Sequence, residues 1–186
     1  MEPVEADYLL IKRIARKDPA AFRALVDKHL SFCVRFAERM TGNRADAEDI
    51  AQEVCLRIWR EAENWQPRAK FSTWLYRVVL NASIDHKRKV IPFAPLGDDD
   101  TTPDDAASSE EVVSQKETGD EVKKALARLP ERQRAAVVMS YYEGLGNKES
   151  AEAMGLDLGA FQQLLFRARQ NLKLDLKDYM QETKRG

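Results

Sequence analysis

Only two cysteines, Cys33 and Cys55, occur in 186 residues. That is too few for a disulfide framework. Both fall on apolar helical faces, which reads as reduced core residues of a cytoplasmic protein. Histidine is as scarce, with His29 and His86 alone. His29 and Cys33 stand four apart, a metal-ligand spacing. A zinc site needs more ligands than the remaining Cys and His supply, so a core role is expected and no metal site is assigned. No stretch approaches the roughly 20 apolar residues of a membrane span. The acidic N-terminus carries no signal-peptide pattern. Strand alternation is missing throughout, as is a glycine-rich phosphate loop following a strand. With no catalytic constellation visible, neither an enzyme nor a cofactor-binding protein is expected.

What remains is helical periodicity and an uneven charge distribution. The chain carries 30 Lys and Arg against 31 Asp and Glu, a net charge of −1 that alone argues against a nucleic-acid binder. The average hides a division. Residues 1–89 hold 17 basic and 13 acidic side chains, residues 90–120 hold 1 and 9, and residues 121–186 hold 12 and 9. Two mildly basic ends flank a strongly acidic middle.

Leu9, Leu10 and Ile14 predict a short helix over residues 7–16. Asp18-Pro19 restarts the chain, since Pro suits a first helical turn. Phe22, Leu25, Val26, Leu30, Cys33, Phe36 and Met40 then mark a long amphipathic helix that Gly42 ends. Residues 46–89 read as two further helices joined by a polar loop. In the first, Ala47, Ile50, Ala51, Val54 and Ile58 share a face, and Asp46, Glu48, Asp49 and Glu53 crowd the start, where the helix dipole favours negative charge. The loop covers residues 64–71 and contains Pro67. Ser72 stands at the expected N-cap, with Leu75, Val78, Val79 and Ala82 repeating behind it. This helix ends in His86-Lys87-Arg88-Lys89, which serves either as dipole compensation or as a phosphate contact.

Residues 91–117 sustain no period and hold Pro92, Pro95, Pro103 and the Asp98-Asp99-Asp100 run, the composition of a linker. The period returns at Val122, Leu126 and Leu129. Pro130 opens a helix carrying Ala135, Val138, Met139 and Tyr142, and Glu143-Gly144-Leu145-Gly146 breaks it. Asn147 is the expected cap of a short helix through Met154. Gly155 turns the chain, Asp157 caps again, and a last helix runs from Leu158 toward Met180. Short helix, glycine turn and longer helix make a helix-turn-helix pattern. The expected fold is all-α: two small helical domains, residues 1–90 and 118–186, joined by an acidic flexible linker over 91–117 that contributes to neither core.

An acidic helix start, Trp59, a polar loop, then Phe71-x-Thr73-Trp74-Leu75-Tyr76-Arg77 and Asn81-x-x-x-Asp85 resembles conserved region two of a bacterial sigma factor, in the small extracytoplasmic-function (ECF) group. Leu129-Pro130-x-x-x-Arg134, Tyr142-Glu143-Gly144-Leu145, Ala151-x-x-Met154-Gly155 and Arg167-Ala168-Arg169 resemble sigma region four. Two departures stand out. Gly146-Asn147 occupies a place where Ser and an aromatic are common. Gly159-Ala160-Phe161-Gln162-Gln163 replaces the usual Gly-Thr-Val-Lys/Arg-Ser, so the recognition helix lacks a frequent basic residue.

The resemblance implies a factor that binds core RNA polymerase and directs promoter-specific transcription initiation under the control of an anti-sigma factor. It implies a polymerase-binding surface of Asp46, Asp49, Gln52, Glu53, Arg57 and Trp59, with ordinary packing as the alternative for Trp59. For the promoter −10 element it implies Gln66, Arg68, Lys70 and Phe71 on the loop, with Arg77, Asn81, Lys87, Arg88 and Lys89 on the helix behind. For the −35 element it implies Gln162, Gln163, Phe166, Arg167 and Arg169, while Leu164, Leu165 and Leu172 read as packing. The alternative is a sigma-mimicking interaction protein that binds an anti-sigma factor without touching promoter DNA. The basic loop and Arg167 and Arg169 speak against that reading.

Overall fold

The computed structural model describes residues 3–66, 70–90 and 117–183, with side chains described over 6–66, 70–89 and 121–177. The acidic segment expected to be a linker therefore lies outside the described residues but for its last position. Among the described residues every regular element is helical. Four helices form the first half: α1 (Pro3–Ile14), α2 (Pro19–Thr41), α3 (Arg44–Glu61) and α4 (Phe71–Val90), with a single 3₁₀ turn at Ala62–Asn64 after α3. The second half holds α5 (Glu117–Arg128), α6 (Glu131–Val137), α7 (Asn147–Met154) and α8 (Leu158–Thr183).

The ends of α2 are fixed by local chemistry. The Asp18 carboxylate accepts from the amides of Ala20 and Ala21 at 2.9 and 3.2 Å, and Gly42 closes the helix at φ 76, a left-handed conformation glycine adopts without a Cβ penalty. At α3 the cap is Asn43, whose side-chain oxygen accepts from Ala45 and Asp46. The helix thus begins at Arg44. Of the acidic residues expected to crowd its start, only Asp46 lies in the first turn. Ser72 is not a cap either. Phe71 is buried and pulls the helix start forward, so that Ser72 sits inside the first turn of α4.

The first half packs α2 against α3, with α4 across both. Leu25, Phe36, Ile50, Val54, Leu75 and Val79 are fully buried at its centre. Around them runs an aromatic belt. Phe32 meets Tyr76 at 4.6 Å, Phe22 meets Trp59 at 5.1 Å, and Phe71 stacks on Trp74 at 5.5 Å. Such pairs add about 0.5–1.5 kcal/mol each beyond burial. The N-terminal helix is tied down by Asp7, which is buried and takes Lys28 at 2.6 Å and His29 at 3.2 Å. His29 is thus a structural partner. Cys33, four residues on, is buried as expected of a core residue, and burial pushes that thiol up to about 12. No cluster of metal-ligating side chains occurs among the described residues.

The second half has a smaller core of Leu126, Leu129, Val137, Ala151, Phe161, Leu165 and Ala168. Pro130 takes the cap position of α6, one place before the expected first turn. After Val137 the helix widens into a π turn over Val138–Tyr142, with Glu143 N–H donating to the Val138 carbonyl at 3.1 Å. Gly146, not Asn147, holds the N-cap position of α7, and no side chain caps it. Asp157 does cap α8, accepting from the Ala160 amide at 2.8 Å.

The halves are not independent. Ala135, Val138, Met139 and Ala153 of the second half are buried in the core cluster of the first. Arg134 joins them. It is 2 % exposed and its guanidinium donates to the carbonyls of Leu126 at 2.7 Å, Leu129 at 3.2 Å, Ala127, and Met40 at the end of α2. The C-termini of α5 and α2 carry unsatisfied carbonyls and the negative ends of two helix dipoles, so one planar cation satisfies both.

Candidate nucleic-acid interface

Three of the acidic and polar side chains expected on α3 share one exposed face. Asp49, Gln52 and Glu53 are exposed beside Leu56, which is 60% exposed. Their opposite face, Ile50, Val54 and Ile58, supplies the packing. Asp46 lies partly buried 3.3 Å from His86. Arg57 pairs with Glu61 one turn on, at 2.7 Å. Trp59 is half-buried, its edge against Phe22 and the Lys17 ammonium over its ring at 5.6 Å. It serves the α2–α3 contact as well as the surface.

On α4, Arg77, Asn81 and Arg88 recur at helical spacing and all are exposed, a polar stripe along one side, with Lys70 preceding it by two turns. Lys89 is exposed outside this line. Lys87 is half-buried, 4.0 Å from Glu131, and burial together with the nearby Arg134 lowers its pKa. Phe71 does not belong to this surface. It is the first residue of α4 and only 2 % exposed, packed among His29, Trp65 and Trp74. Its expected place on the polar loop is corrected accordingly. Gln66 is exposed. Arg68 lies outside the described residues.

Beside the head of this stripe is a cavity of about 560 Å³. Trp65 and Trp74 give it aromatic walls, Asn64 and Gln66 give it amides, and on the first half Arg77 gives it a cation and Glu61 an anion. Flat apolar faces beside paired donors and acceptors suit a planar, hydrogen-bonding group such as an unstacked base. Asn81 is not among its lining residues. Glu152 of the second half is. The sequence reading missed Trp65 and Glu152, because neither falls within a periodic face that marks the site.

The second surface is on α8. Phe161, Leu165 and Ala168 are buried and Leu164 and Leu172 partly so, which fixes the inward face. Gln162, Gln163, Phe166 and Arg169 are exposed on the other side. Arg167 is half-buried. The turn before α8 is made by Gly155 at φ 67, and the packing of α7 on α8 leaves the N-terminal half of α8 facing outward, as a recognition helix requires. The π turn throws Tyr141 and Tyr142 outward, where Arg169 lies over the Tyr141 ring at 5.4 Å and Arg39 over the Tyr142 ring at 4.6 Å.

Comparison with known proteins agrees with this geometry. The family described as Sigma-70 region 2 matches residues 25–90, and that described as Sigma-70, region 4 matches residues 119–172. The chain is 32% identical over 165 residues to the ECF RNA polymerase sigma factor SigL of Mycobacterium tuberculosis, covering 88% of this chain and 93% of that one. It is 35% identical over 162 residues to the ECF RNA polymerase sigma factor SigE of Mycolicibacterium smegmatis, covering 86% of this chain but 63% of that longer protein. Among solved structures, the sigma factor RpoE from Bartonella quintana, in complex with the anti-sigma factor NepR, has the same fold. Its TM-score is 0.64 at 22% identity, covering 84% of this chain and 96% of that one.

Proposed function

The chain belongs to the sigma-70 family, in its ECF group, and on that premise we propose that it binds core RNA polymerase and directs it to promoters with −35 and −10 elements. Members of this family regulate transcription and are not enzymes. The observation that supports the reading is that one chain carries two separate exposed polar faces. One is the Arg77, Asn81 and Arg88 stripe beside the aromatic cavity. The other is the Gln162, Gln163, Phe166 and Arg169 face of α8.

Their chemistry divides the work. The α4 stripe presents cations and an amide beside a cavity suited to a base taken out of the stack, which fits the melted −10 strand. The α8 face presents paired amides and a guanidinium from a helix that fits the major groove, which suits duplex −35 DNA. The exposed acidic face of α3 is the surface for core polymerase, with Asp49, Gln52 and Glu53 at its centre and Asp46, Arg57 and Trp59 at its margins. Residues 1–90 and 118–186 act as the two functional domains. Control by an anti-sigma factor is proposed from the neighbouring fold, which was solved with one bound. No observation favours the sigma-mimicking alternative.

In vitro transcription with core polymerase tests the reading. The wild-type chain should support initiation from a cognate promoter, and Asp49→Lys with Glu53→Lys should lose it while keeping full helicity by circular dichroism. Unchanged competition of that double variant for core polymerase removes the α3 surface from the proposal.

A further inference from the structure

A regular helix would bury Tyr141 and Tyr142. Tyr141 stands seven residues after Arg134 and Tyr142 four after Val138, and both of those earlier residues are buried. A 3.6-residue period puts all four on one face. The π turn over Val138–Tyr142 breaks that phase. The Glu143 amide donates five residues back, to the Val138 carbonyl at 3.1 Å, and the added residue swings the next side chains out of the core. Tyr141 is left 57% exposed and Tyr142 42%. The turn thus forfeits the burial of two aromatic rings. It also leaves the Ser140 hydroxyl buried with no partner among the described residues. Single π turns inside α-helices are frequent at functional sites.

The two rings meet different cations. Arg39 lies over Tyr142 at 4.6 Å but also pairs with Glu143 at 3.1 Å, so its charge is already answered. Arg169 lies over Tyr141 at 5.4 Å and, among the described residues, no carboxylate pairs with it. Exposed arginines elsewhere differ: Arg13, Arg44 and Arg57 each meet a carboxylate at 2.7–2.8 Å. Residues 158–174 of α8 hold Arg167, Arg169 and Lys173 and no acidic side chain. A carboxylate orients a guanidinium and cancels its charge. An aromatic face orients it and leaves the charge in place. Arg169 follows Gln162 by seven residues and Phe166 by three, on the outward side of α8. The held cation therefore stands at the margin of the −35 reading face, open to an anion.

We propose that Tyr141 is a positioning residue for the −35 contact: its ring, brought out by the π turn, holds the Arg169 guanidinium where a duplex phosphate meets the margin of the α8 face. The inference rests on the −35 assignment above and adds to it a residue from outside the helix-turn-helix. Ordering a long side chain before binding removes part of the entropy cost of the contact. A guanidinium already aligned on a ring thus binds phosphate more tightly than a free one of the same charge.

The test measures binding of the full chain to a duplex DNA probe of randomised sequence, by fluorescence anisotropy over a series of salt concentrations. Tyr141→Ala should weaken binding about threefold, the size of an exposed cation–π contact. It should leave the salt slope unchanged, because no charge is lost. Arg169→Ala should weaken binding further and lower the slope by about one. In the Arg169→Ala background, Tyr141→Ala should add nothing. Tyr141→Phe keeps the aromatic face and should bind as the wild type does. Tyr141→Leu covers the case in which alanine disturbs the turn: it keeps bulk, lacks the face, and should match alanine. A loss from Tyr141→Ala that persists in the Arg169→Ala background means that Tyr141 acts alone or through the fold, and overturns the positioning role. Tyr141→Phe as weak as Tyr141→Ala assigns the effect to the hydroxyl and overturns it too. If Arg169→Ala weakens binding while Tyr141→Ala and Tyr141→Leu do not, this role alone falls. If Arg169→Ala also binds as the wild type does, the −35 assignment falls with it.

Discussion

The first half buries Leu25, Phe36, Ile50, Leu75 and Val79 inside four helices of which three run to 18 residues or more. The second half encloses Phe161 and Leu165 with smaller side chains, and sends Val138 and Met139 into its neighbour's core instead of its own. Small helical units bury little apolar area for the chain they must order. The second half leaves one side of its longest helix exposed at Gln162, Gln163, Phe166 and Arg169, so that side of α8 adds nothing to packing. Docking compensates for that shortfall. The contact that completes the second half's core is also the one that brings α7 against Arg77 and Lys70 of the first half.

The largest expected effects test whether the two cores are separate units. All three tryptophans, Trp59, Trp65 and Trp74, lie in the first half, so tryptophan fluorescence follows that half while far-ultraviolet circular dichroism follows both. Phe36→Ala should cost about 3–5 kcal/mol and shift the fluorescence transition in urea. Phe161→Ala should cost a similar amount but appear first in the dichroism, leaving the fluorescence midpoint little changed. Coincident shifts from both substitutions would mean one cooperative unit, and the comparison between halves would collapse.

Arg134 comes next. Truncation to Met keeps the stem but strips donors from the carbonyls of Leu126, Ala127, Leu129 and Met40. An expected loss of about 3 kcal/mol follows from leaving several buried acceptors unpaired. Arg134→Lys should recover less than half, since one ammonium cannot span two helix ends. Measured by thermal unfolding, a loss near zero for Arg134→Met would show that solvent reaches these carbonyls and that the guanidinium is not what closes α5.

Much of this was legible in the sequence, and the reasons differ by element. The 3.6-residue period gave the helices because each has one apolar face. Gly42 and Asp157 were readable as caps because their chemistry acts locally. Ser72 and Asn147 were misread because tertiary packing moved the helix starts: burial of Phe71 advances α4, and Gly146 takes the extended conformation before α7. Periodicity marks a face as buried without saying what buries it. Ala135, Val138 and Met139 therefore looked like local core when they pack across the halves. Arg134 belonged to a recognised motif, yet nothing in its spacing announces a buried cation. For the reader surfaces, the exposure of Gln162, Gln163 and Arg169 was foreseeable, but the engagement of Arg77 by α7 was not.

Alkali should separate the halves more gently. Burial raises Cys33 from an ordinary value near 9.0 to about 12 and Tyr76 from 10.0 to about 12, and burial raises Cys55 as well. Both Cys33 and Tyr76 are neutral when protonated, so the folded state binds more protons than the unfolded chain above their ordinary values. The stability tied to Cys33 is complete below pH 9 and is lost as pH rises toward 12. By roughly pH 10.5 Cys33 alone should remove about 2 kcal/mol from the first half. Urea midpoints by fluorescence at pH 8 and pH 10.5 check this. At pH 8 Cys33 should stay unmodified by a thiol reagent until the protein is unfolded; rapid native labelling of Cys33 would contradict its burial.

The smallest effect concerns base choice, and it isolates the second reading face from the first. Gln162, Gln163, Phe166 and Arg169 are exposed and, among the described residues, make no contact with the first half that packing of α7 requires, while Arg77 donates to α7, so duplex −35 binding should not require the halves to part. A Gln side chain can pair bidentately with adenine N6 and N7, whereas Arg prefers guanine O6 and N7. Gln163 lies in the N-terminal half of α8, the part of a recognition helix that enters the major groove. A −35 element with at least one adenine read through glutamine is expected. Gln163→Ala should then relax discrimination at one base pair by about 1–3 kcal/mol and leave the others unchanged. Arg169, held over Tyr141 at the far side of the same surface, is placed for a phosphate. Arg169→Ala should weaken all sequences alike and lower the salt slope by about one. A binding scan over every single-base −35 variant reads both terms. A uniform loss from Gln163→Ala sinks the base-reading role.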